Sequence, residues 1–433
     1  MKNTIQKIAL LITFTFSLLN VIAQDRNVAW IHGFNRNANS WKHYNQIFDK
    51  ERNLNSLRTT YYTGNGITYS TNKVIRSMNT HYREGANNPR NLGIGHSMGG
   101  LMLRDADRIT ANGTKKFGGY ITVASPNYGA PITNSLLDGS VEKAAQNACN
   151  KLADGPLSQL LALPWGIISN LSTDVLCNVF IDNDLIQSFQ GTPVTKKDLR
   201  VGSPTIDAIN DYDTNLPRIS IWAEENSPVH WRMISSQLYG NDTKFVNTVN
   251  RARGIYNGFY TYNTTLAVVS GVLGFFNPFA WGFTALYGYR ATQWKKGRNW
   301  IDDSENIWSS LIKTTRSEPE TYWVNTWIPC PYPPLGKEMH AKSVKRVPDP
   351  RDCGEWKQVQ RTRFISVNYP SDGLLPQYTQ ELQGIPFGNR YKVQGANHTE
   401  VTNMTTDGND VDETKDVFDD IFDRAFPDFF RTN

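Results

Sequence analysis

A serine between closely spaced glycines is the first residue in this sequence that is suited to nucleophilic chemistry. Ser97 lies between Gly95 and Gly99, and the extended run 91–94 precedes it while a helical pattern follows. Glycines flank a serine at a tight strand-to-helix turn because the crowded backbone there leaves little room for Cβ atoms. The N–H of Met98 would then lie at a helix N-terminus, where it can face a developing oxyanion. The spacing predicts that Ser97 is a nucleophile.

A histidine near the C-terminus is the predicted general base. His398 follows the extended run 391–394 in a short loop. Loops at the carboxyl ends of late strands are where α/β proteins collect catalytic groups. The other histidines that follow the serine are His230 and His340, and His340 lies in a connector rich in proline and lysine. We expect His96, which directly precedes the serine, to have a structural role.

Two acidic residues compete to orient this histidine. Asp372 follows the strand-like run 364–369 and precedes His398 by 26 residues, whereas Glu225 follows the strand-like run 218–222. Asp372 is the preferred acid, and Glu225 is the alternative. The two readings are compatible if 218–222 ends a core strand and an insertion precedes Asp372.

The elements that must position these residues alternate between strand and helix patterns. Such alternation is typical of an α/β fold with a mostly parallel sheet and helices on both faces. The predicted strands are 27–31, 57–62, 91–94 and 119–124, and the predicted helices are 41–50 and 70–82. Because chemistry in such sheets lies at the carboxyl ends of the strands, the serine and the segment after residue 31 should meet there.

Three segments of this region resemble the α/β-hydrolase fold, and specifically its bacterial lipase and esterase branch. They are Ile31-His32-Gly33-Phe34, Gly95-His96-Ser97-Met98-Gly99-Gly100 and Ala124-Ser125-Pro126-Asn127-Tyr128-Gly129-Ala130-Pro131. The run Asp372-Gly373-Leu374-Leu375-Pro376 is similar to the acid loop of bacterial lipases. The resemblance covers about residues 26–131 and 362–403.

The resemblance implies both a mechanism and an architecture. A Ser97-His398-Asp372 triad would form an acyl-enzyme, with the N–H groups of Phe34 and Met98 as the oxyanion hole. The implied activity is that of a lipase-like serine carboxylic-ester hydrolase with an acyl-ester or lipid substrate, and a large helical cap or lid would be inserted into the core. Acyl transfer from the same acyl-enzyme, or a non-catalytic membrane-binding module, are the alternatives. Neither a cofactor nor a metal is expected.

The chain divides into four predicted parts. Residues 1–23 have a basic start and an apolar run, which is typical of a secretory signal peptide and implies a secreted or periplasmic protein. An N-terminal membrane anchor is the alternative. Residues 24–131 would form the first part of the hydrolase core, 132–355 the cap and 356–433 the second part of the core.

Composition restricts the partners. The 433 residues are 39% hydrophobic, 12% aromatic and 20% charged, as in globular proteins. The formal net charge of +5 falls to +3 without residues 1–23, which is too small to indicate nucleic-acid binding. The four cysteines allow three pairings, and pairing in sequence order is preferred: Cys149 with Cys177 and Cys330 with Cys353.

One long stretch has no charge. Residues 254–289 contain 36 uncharged residues, and Asn277-Pro278 divides them into two apolar arms too short to span a bilayer. The Lys-, Arg- and Trp-rich segment 294–300 follows. This pattern predicts transient contact of 254–300 with a membrane or lipid interface, and a buried cap is the alternative. The acidic loop 407–412, near Glu400, is a weaker candidate for calcium.

Overall fold

The structure is a computed structural model, and it describes seven ranges of the chain. These are residues 26–141, 143–144, 192–225, 305–329, 354–402, 409–424 and 428–432, together with the isolated residues 292, 295, 299, 302 and 303. The predicted signal peptide, all four cysteines and the uncharged stretch 254–289 lie outside them, whereas residues 409–412 of the acidic loop 407–412 belong to a helix. Within these ranges, no helix has the length and apolar character needed to cross a membrane.

The described strands form a six-stranded parallel sheet and a separate two-stranded ribbon. In the main sheet the order is β2-β1-β3-β4-β5-β8, and every neighbouring pair is parallel. In chain order the strands are β1 Arg26–Ile31, β2 Leu54–Arg58, β3 Leu92–His96, β4 Gly119–Val123, β5 Arg218–Glu224, β6 Thr315–Pro329, β7 Gly354–Asn368 and β8 Arg390–Gln394. The predicted mostly parallel sheet is confirmed.

Helices cover both faces of the main sheet. They are α1 Lys42–Arg52, α2 Ile67–Tyr82, α3 Met98–Ile109, α4 Pro131–Leu137, α5 Pro193–Leu199, α6 Pro204–Asn210, α7 Gln377–Gln380 and α8 Asn409–Arg424. Residues of β1 alternate between two buried clusters, as expected for a strand covered on both sides. Ile31 packs in the cluster that includes α2 and α3, and Trp30 packs in the cluster that includes α1 and α8.

The second strand ends earlier than its sequence pattern predicts. The run 57–62 predicts a strand there, but the strand β2 comprises Leu54–Arg58. Tyr61 instead turns into the protein, where its hydroxyl donates a hydrogen bond to the His32 carbonyl and its ring stacks on the His32 imidazole. The N–H of Asn35 donates to the Thr63 hydroxyl. This segment is a loop that supports the chain after β1.

The ribbon of β6 and β7 is a compact unit of its own, residues Thr315–Tyr369. Its two strands pair antiparallel from Thr315 opposite Asn368 to Pro329 opposite Gly354. The predicted strand 364–369 therefore belongs largely to the ribbon and not to the main sheet. The ribbon spans the predicted boundary between residues 355 and 356, and the domain division remains a prediction. The helical cap also remains a prediction, because most of residues 145–304 lie outside the described ranges.

Candidate active site

Ser97 occupies a strained turn between β3 and α3. Its backbone has φ 52° and ψ −128°, a conformation that non-glycine residues rarely adopt. A Cβ atom on Gly95 would lie 2.5 Å from the carbonyl carbon of Gly99, and one on Gly99 would lie 2.5 Å from the Ile31 carbonyl oxygen. The turn therefore excludes side chains at both positions, which is the physical basis of the spacing found in the sequence.

Backbone contacts fix the turn in place. The Ser97 N–H donates to the Val123 carbonyl on the neighbouring strand at 2.9 Å. The Ser97 side chain lies at the carboxyl end of β3, and the residue is 8% exposed. The strain is thus held by a buried strand on one side and the start of a helix on the other, so the hydroxyl cannot relax away from its position.

Ser97, His398 and Asp372 form a continuous chain of side-chain contacts. The hydroxyl Oγ of Ser97 lies 3.0 Å from Nε2 of His398. Nδ1 of the same imidazole lies 2.7 Å from Oδ2 of Asp372. The three residues come from loops after β3, after β8 and after the ribbon, and they are separated by up to 301 positions in sequence. An Asp-His-Ser contact chain can accept a proton from the hydroxyl and stabilise the resulting imidazolium.

The Asp372 carboxylate is buried and anchored by backbone groups. Its Oδ1 accepts hydrogen bonds from the N–H groups of Leu374 at 2.9 Å and Leu375 at 2.7 Å, which leaves Oδ2 for the imidazole. The His398 N–H donates to the Asp372 carbonyl at 2.8 Å, so the two loops are joined through the backbone as well. The indole of Trp308 donates to the Gly373 carbonyl at 2.6 Å. These contacts fix the direction of the carboxylate.

Glu225, the alternative acid, lies beside the same loop. It directly follows β5, and its N–H donates to the Ser371 carbonyl at 2.9 Å. The carboxylate that contacts Nδ1 of His398 is that of Asp372. Both sequence candidates therefore point to one place, because this hydrogen bond puts Glu225 and Ser371 side by side.

The backbone N–H groups predicted to form an oxyanion hole belong to segments that lie next to Ser97. Met98 is the first residue of α3, and N–H groups in a first helical turn have no acceptor within the helix. Ile31 of β1 is in register with Gly95 of β3, so the chain after β1 reaches the same edge of the sheet. A Cβ atom on Gly33 would lie 2.7 Å from the Cβ of Ser97, and Phe34 follows this contact directly.

Two buried histidines surround the site. Nε2 of His96 lies 2.8 Å from the His398 carbonyl oxygen, and since a carbonyl only accepts, His96 carries its proton on Nε2. Burial, together with the neighbouring His398 imidazole, holds the pKa of His96 well below its usual value. Burial also lowers the pKa of His32 to about 4. Both rings are therefore neutral near pH 7 and add no positive charge beside His398.

Sequence reasoning missed a glutamine that joins the acid loop to the sheet. The Gln380 carboxamide accepts from the Ala223 N–H at 2.9 Å, donates to the Ala223 carbonyl at 3.3 Å and donates to the Leu375 carbonyl at 2.7 Å. It thus extends the hydrogen-bonding edge of β5 to the loop that carries Asp372. No sequence signal marks Gln380, because its role depends on a contact with Ala223, which lies 157 positions away in the sequence.

Comparisons with solved structures return remote matches. An extracellular α/β-hydrolase from a Paenibacillus species has 12% identity and a TM-score of 0.27, with 46% of this chain and 77% of that chain covered. An esterase from Exiguobacterium antarcticum has 13% identity and a TM-score of 0.26, with 52% and 78% covered. Epoxide hydrolases from metagenomes of hot environments have 15% identity and a TM-score of 0.25, with 47% and 76% covered. No protein-family model matches the sequence, and no curated protein matches it significantly.

The architecture itself carries the assignment of the fold. Parallel strands in the order β2-β1-β3-β4-β5-β8 place the reversal of strand order at β1 and β3, where ligands bind in open α/β sheets. The strained serine turn lies at the end of β3, and the histidine loop follows β8. This chain has the α/β-hydrolase fold.

Proposed function

We propose that this chain is a serine ester hydrolase of the lipase type, which acts on acyl esters and is exported from the cell. The observation that carries the proposal is the contact chain from Ser97 Oγ through the His398 imidazole to the Asp372 carboxylate, at 3.0 Å and 2.7 Å. The signal-peptide pattern of residues 1–23 supports export.

The first half of the reaction forms an acyl-enzyme. Ser97 Oγ attacks the ester carbonyl carbon while Nε2 of His398 takes the hydroxyl proton. The N–H groups of Met98 and Phe34 would bind the negative oxygen of the tetrahedral intermediate. The intermediate collapses when the bond to the alcohol oxygen breaks, and His398 returns its proton to the departing alcohol.

The second half of the reaction hydrolyses the acyl-enzyme and releases the carboxylic acid product. Water gives a proton to His398 as its oxygen attacks the acyl carbon, and the bond to Ser97 Oγ then breaks while the proton returns to that oxygen. Asp372 holds the imidazole in place throughout, because its Oδ1 is bound by two N–H groups and its Oδ2 faces the imidazole. An alcohol in place of water would make the same acyl-enzyme a transferase, so analysis of the products with added glycerol measures the partition.

Labelling and kinetics together test this proposal. A fluorophosphonate probe should label the wild-type protein at Ser97, and the Ser97→Ala variant should lose both the label and hydrolysis of p-nitrophenyl butyrate. His398→Ala should also lose about 10³-fold or more in turnover, because the two residues act as a unit. Turnover close to that of the wild type in either folded variant would exclude this mechanism.

A further inference from the structure

The ribbon of β6 and β7 has two faces, and its pairing register assigns residues to each. Directly opposed residues share a face. Trp327 is opposite Trp356, and their indole rings are 5.6 Å apart. Glu320 is opposite Arg363, and they form an ion pair of 2.6 Å. The first pair lies on what we call the aromatic face, which comprises the odd-numbered residues of β6 and the even-numbered residues of β7. The second pair lies on what we call the charged face, which comprises the even-numbered residues of β6 and the odd-numbered residues of β7.

The two faces differ in chemistry. The aromatic face carries four aromatic residues, Trp323, Trp327, Trp356 and Phe364, and no charged residue. Its other side chains are mainly hydroxyls and amides, such as those of Thr321, Asn325 and Gln358. All seven charged residues of the two strands project from the charged face.

The aromatic face is the more exposed of the two. Every side chain on it that the structure describes is exposed, with Trp323 at 64%, Trp356 at 69% and Phe364 at 74%. On the charged face, apolar side chains such as Val324 and Ile365 are only half exposed. A folded protein ordinarily buries its aromatic side chains and leaves its charged side chains exposed to water. The reversed arrangement marks the aromatic face as a binding surface.

We propose that the aromatic face binds a neutral polysaccharide. Sugar rings present flat C–H surfaces that pack on exposed indoles, and their hydroxyls can pair with the hydroxyl and amide side chains between the rings. The face has no charge, which complements an uncharged ligand. Anionic lipid surfaces and nucleic acids are attracted by clusters of Lys and Arg, and the ribbon carries its cations on the charged face.

The shape of the ribbon favours a single extended chain as the ligand. Fifteen residues of strand span about 50 Å, and Trp323 and Trp327, four positions apart, are separated by about 13 Å. Trp356 and Phe364 are about 27 Å apart along β7 by the same rise. Two-stranded ribbons twist strongly, so successive rings turn relative to one another. Such a twisted row can follow a soluble glycan chain better than the flat surface of a crystalline fibre.

Affinity electrophoresis of the full-length secreted protein in gels containing glucomannan, xyloglucan or hydroxyethylcellulose tests the proposal. At least one of these neutral polymers should retard the wild-type protein, and titration calorimetry with that polymer gives the affinity. Trp323→Ala combined with Trp356→Ala should weaken binding about tenfold or more. The matched control, Glu320→Gln combined with Arg363→Gln on the charged face, should bind as the wild type does. Both double variants should hydrolyse a soluble ester at the wild-type rate, since the ribbon carries none of the proposed catalytic residues.

Several outcomes would overturn the proposal. One is the absence of retardation by all three polymers, and another is equal binding by the wild type and the double tryptophan variant. A wild-type dimer in light scattering that the tryptophan changes dissociate would assign the face to a second copy of this chain. Binding to anionic phosphatidylglycerol vesicles that the same changes abolish would assign it to a lipid surface. If the double variant does not fold, Trp323→Gln and Phe364→Ser repeat the measurement with smaller changes at exposed positions.

Discussion

The His96 imidazole donates a hydrogen bond from Nε2 to the backbone carbonyl oxygen of His398 across 2.8 Å. His96 thus holds the loop that carries His398, the proposed general base, and the two rings lie 4.9 Å apart. Any change in the position of this loop would change the distance between Nε2 of His398 and Ser97 Oγ. His96 is therefore a positioning residue for the proposed reaction.

Replacing His96 by phenylalanine should lower kcat by about 10- to 100-fold while KM changes little, because a shift of about 1 Å in a catalytic group has effects of this size. His96→Gln retains a donor and should recover part of the rate. His43→Phe, at an exposed position on α1, is the control. An equal loss of rate in His96→Phe and His96→Gln would show that the residue only fills space.

Stability should fall as the medium becomes acidic. His32 has its pKa lowered to about 4, so below about pH 6.5 the unfolded state binds protons that the folded state does not. The loss from His32 alone should reach about 2 kcal/mol at pH 5, and His96 adds to it with the same sign. Urea unfolding at pH 7 and pH 5 measures the difference. The variant His32→Gln should show a smaller difference, and a protein equally stable at both pH values would contradict the prediction.

The acid can be identified by a matched pair of substitutions. Asp372→Asn should lower kcat by about 10²-fold or more, because the amide cannot hold the imidazole in the required tautomer or stabilise its charge. Glu225→Gln makes the same chemical change at the neighbouring buried acid, and it should retain most of the activity. Rates on p-nitrophenyl butyrate, with melting temperatures to confirm folding, compare the two. The opposite ranking would transfer the orienting role to Glu225.

The uncharged stretch within 254–300 yields a prediction that rests on sequence alone. If it docks on lipid, Phe276→Asp or Trp281→Asp should reduce co-sedimentation with anionic vesicles and lower activity on emulsified triglyceride, with a smaller effect on a soluble ester. If it is a buried cap, both variants should lose about 2–5 kcal/mol of stability and activity on all substrates. Unchanged vesicle binding together with a large fall in melting temperature would reject lipid docking.

Local patterns predicted those parts of the fold whose cause is local. The glycines around Ser97 reflect contacts within one turn and with the adjoining strand, and the apolar run before residue 31 reflects burial on both faces. Both are visible in sequence. The predicted strand 57–62 extends beyond the end of β2 because Tyr61 is buried against His32 and not within a strand. The sequence of residues 57–62 does not distinguish these two forms of burial.

Features that depend on contacts between distant segments were not predictable in the same way. His96 was expected to be structural, because nothing in its neighbourhood indicates a carbonyl 302 positions away. The choice between Glu225 and Asp372 was open for a similar reason, since each follows a strand-like run. The ribbon's two faces, in contrast, are indicated by the alternation of charged and uncharged residues in β6, so they were predictable from the sequence.

The hydrogen bond between the Glu225 N–H and the Ser371 carbonyl has a consequence for how this protein can vary. The 145 residues from 226 to 370 begin and end at adjacent points, and within them Trp308, Leu311 and Ile312 pack in the core. The entropy of closing such a loop grows only slowly with its length, and segments attached in this way can lengthen, shorten or be exchanged with little effect on their host. The parts of this segment that lie outside 305–314 can therefore change in length while Ser97, His398 and Asp372 keep their geometry.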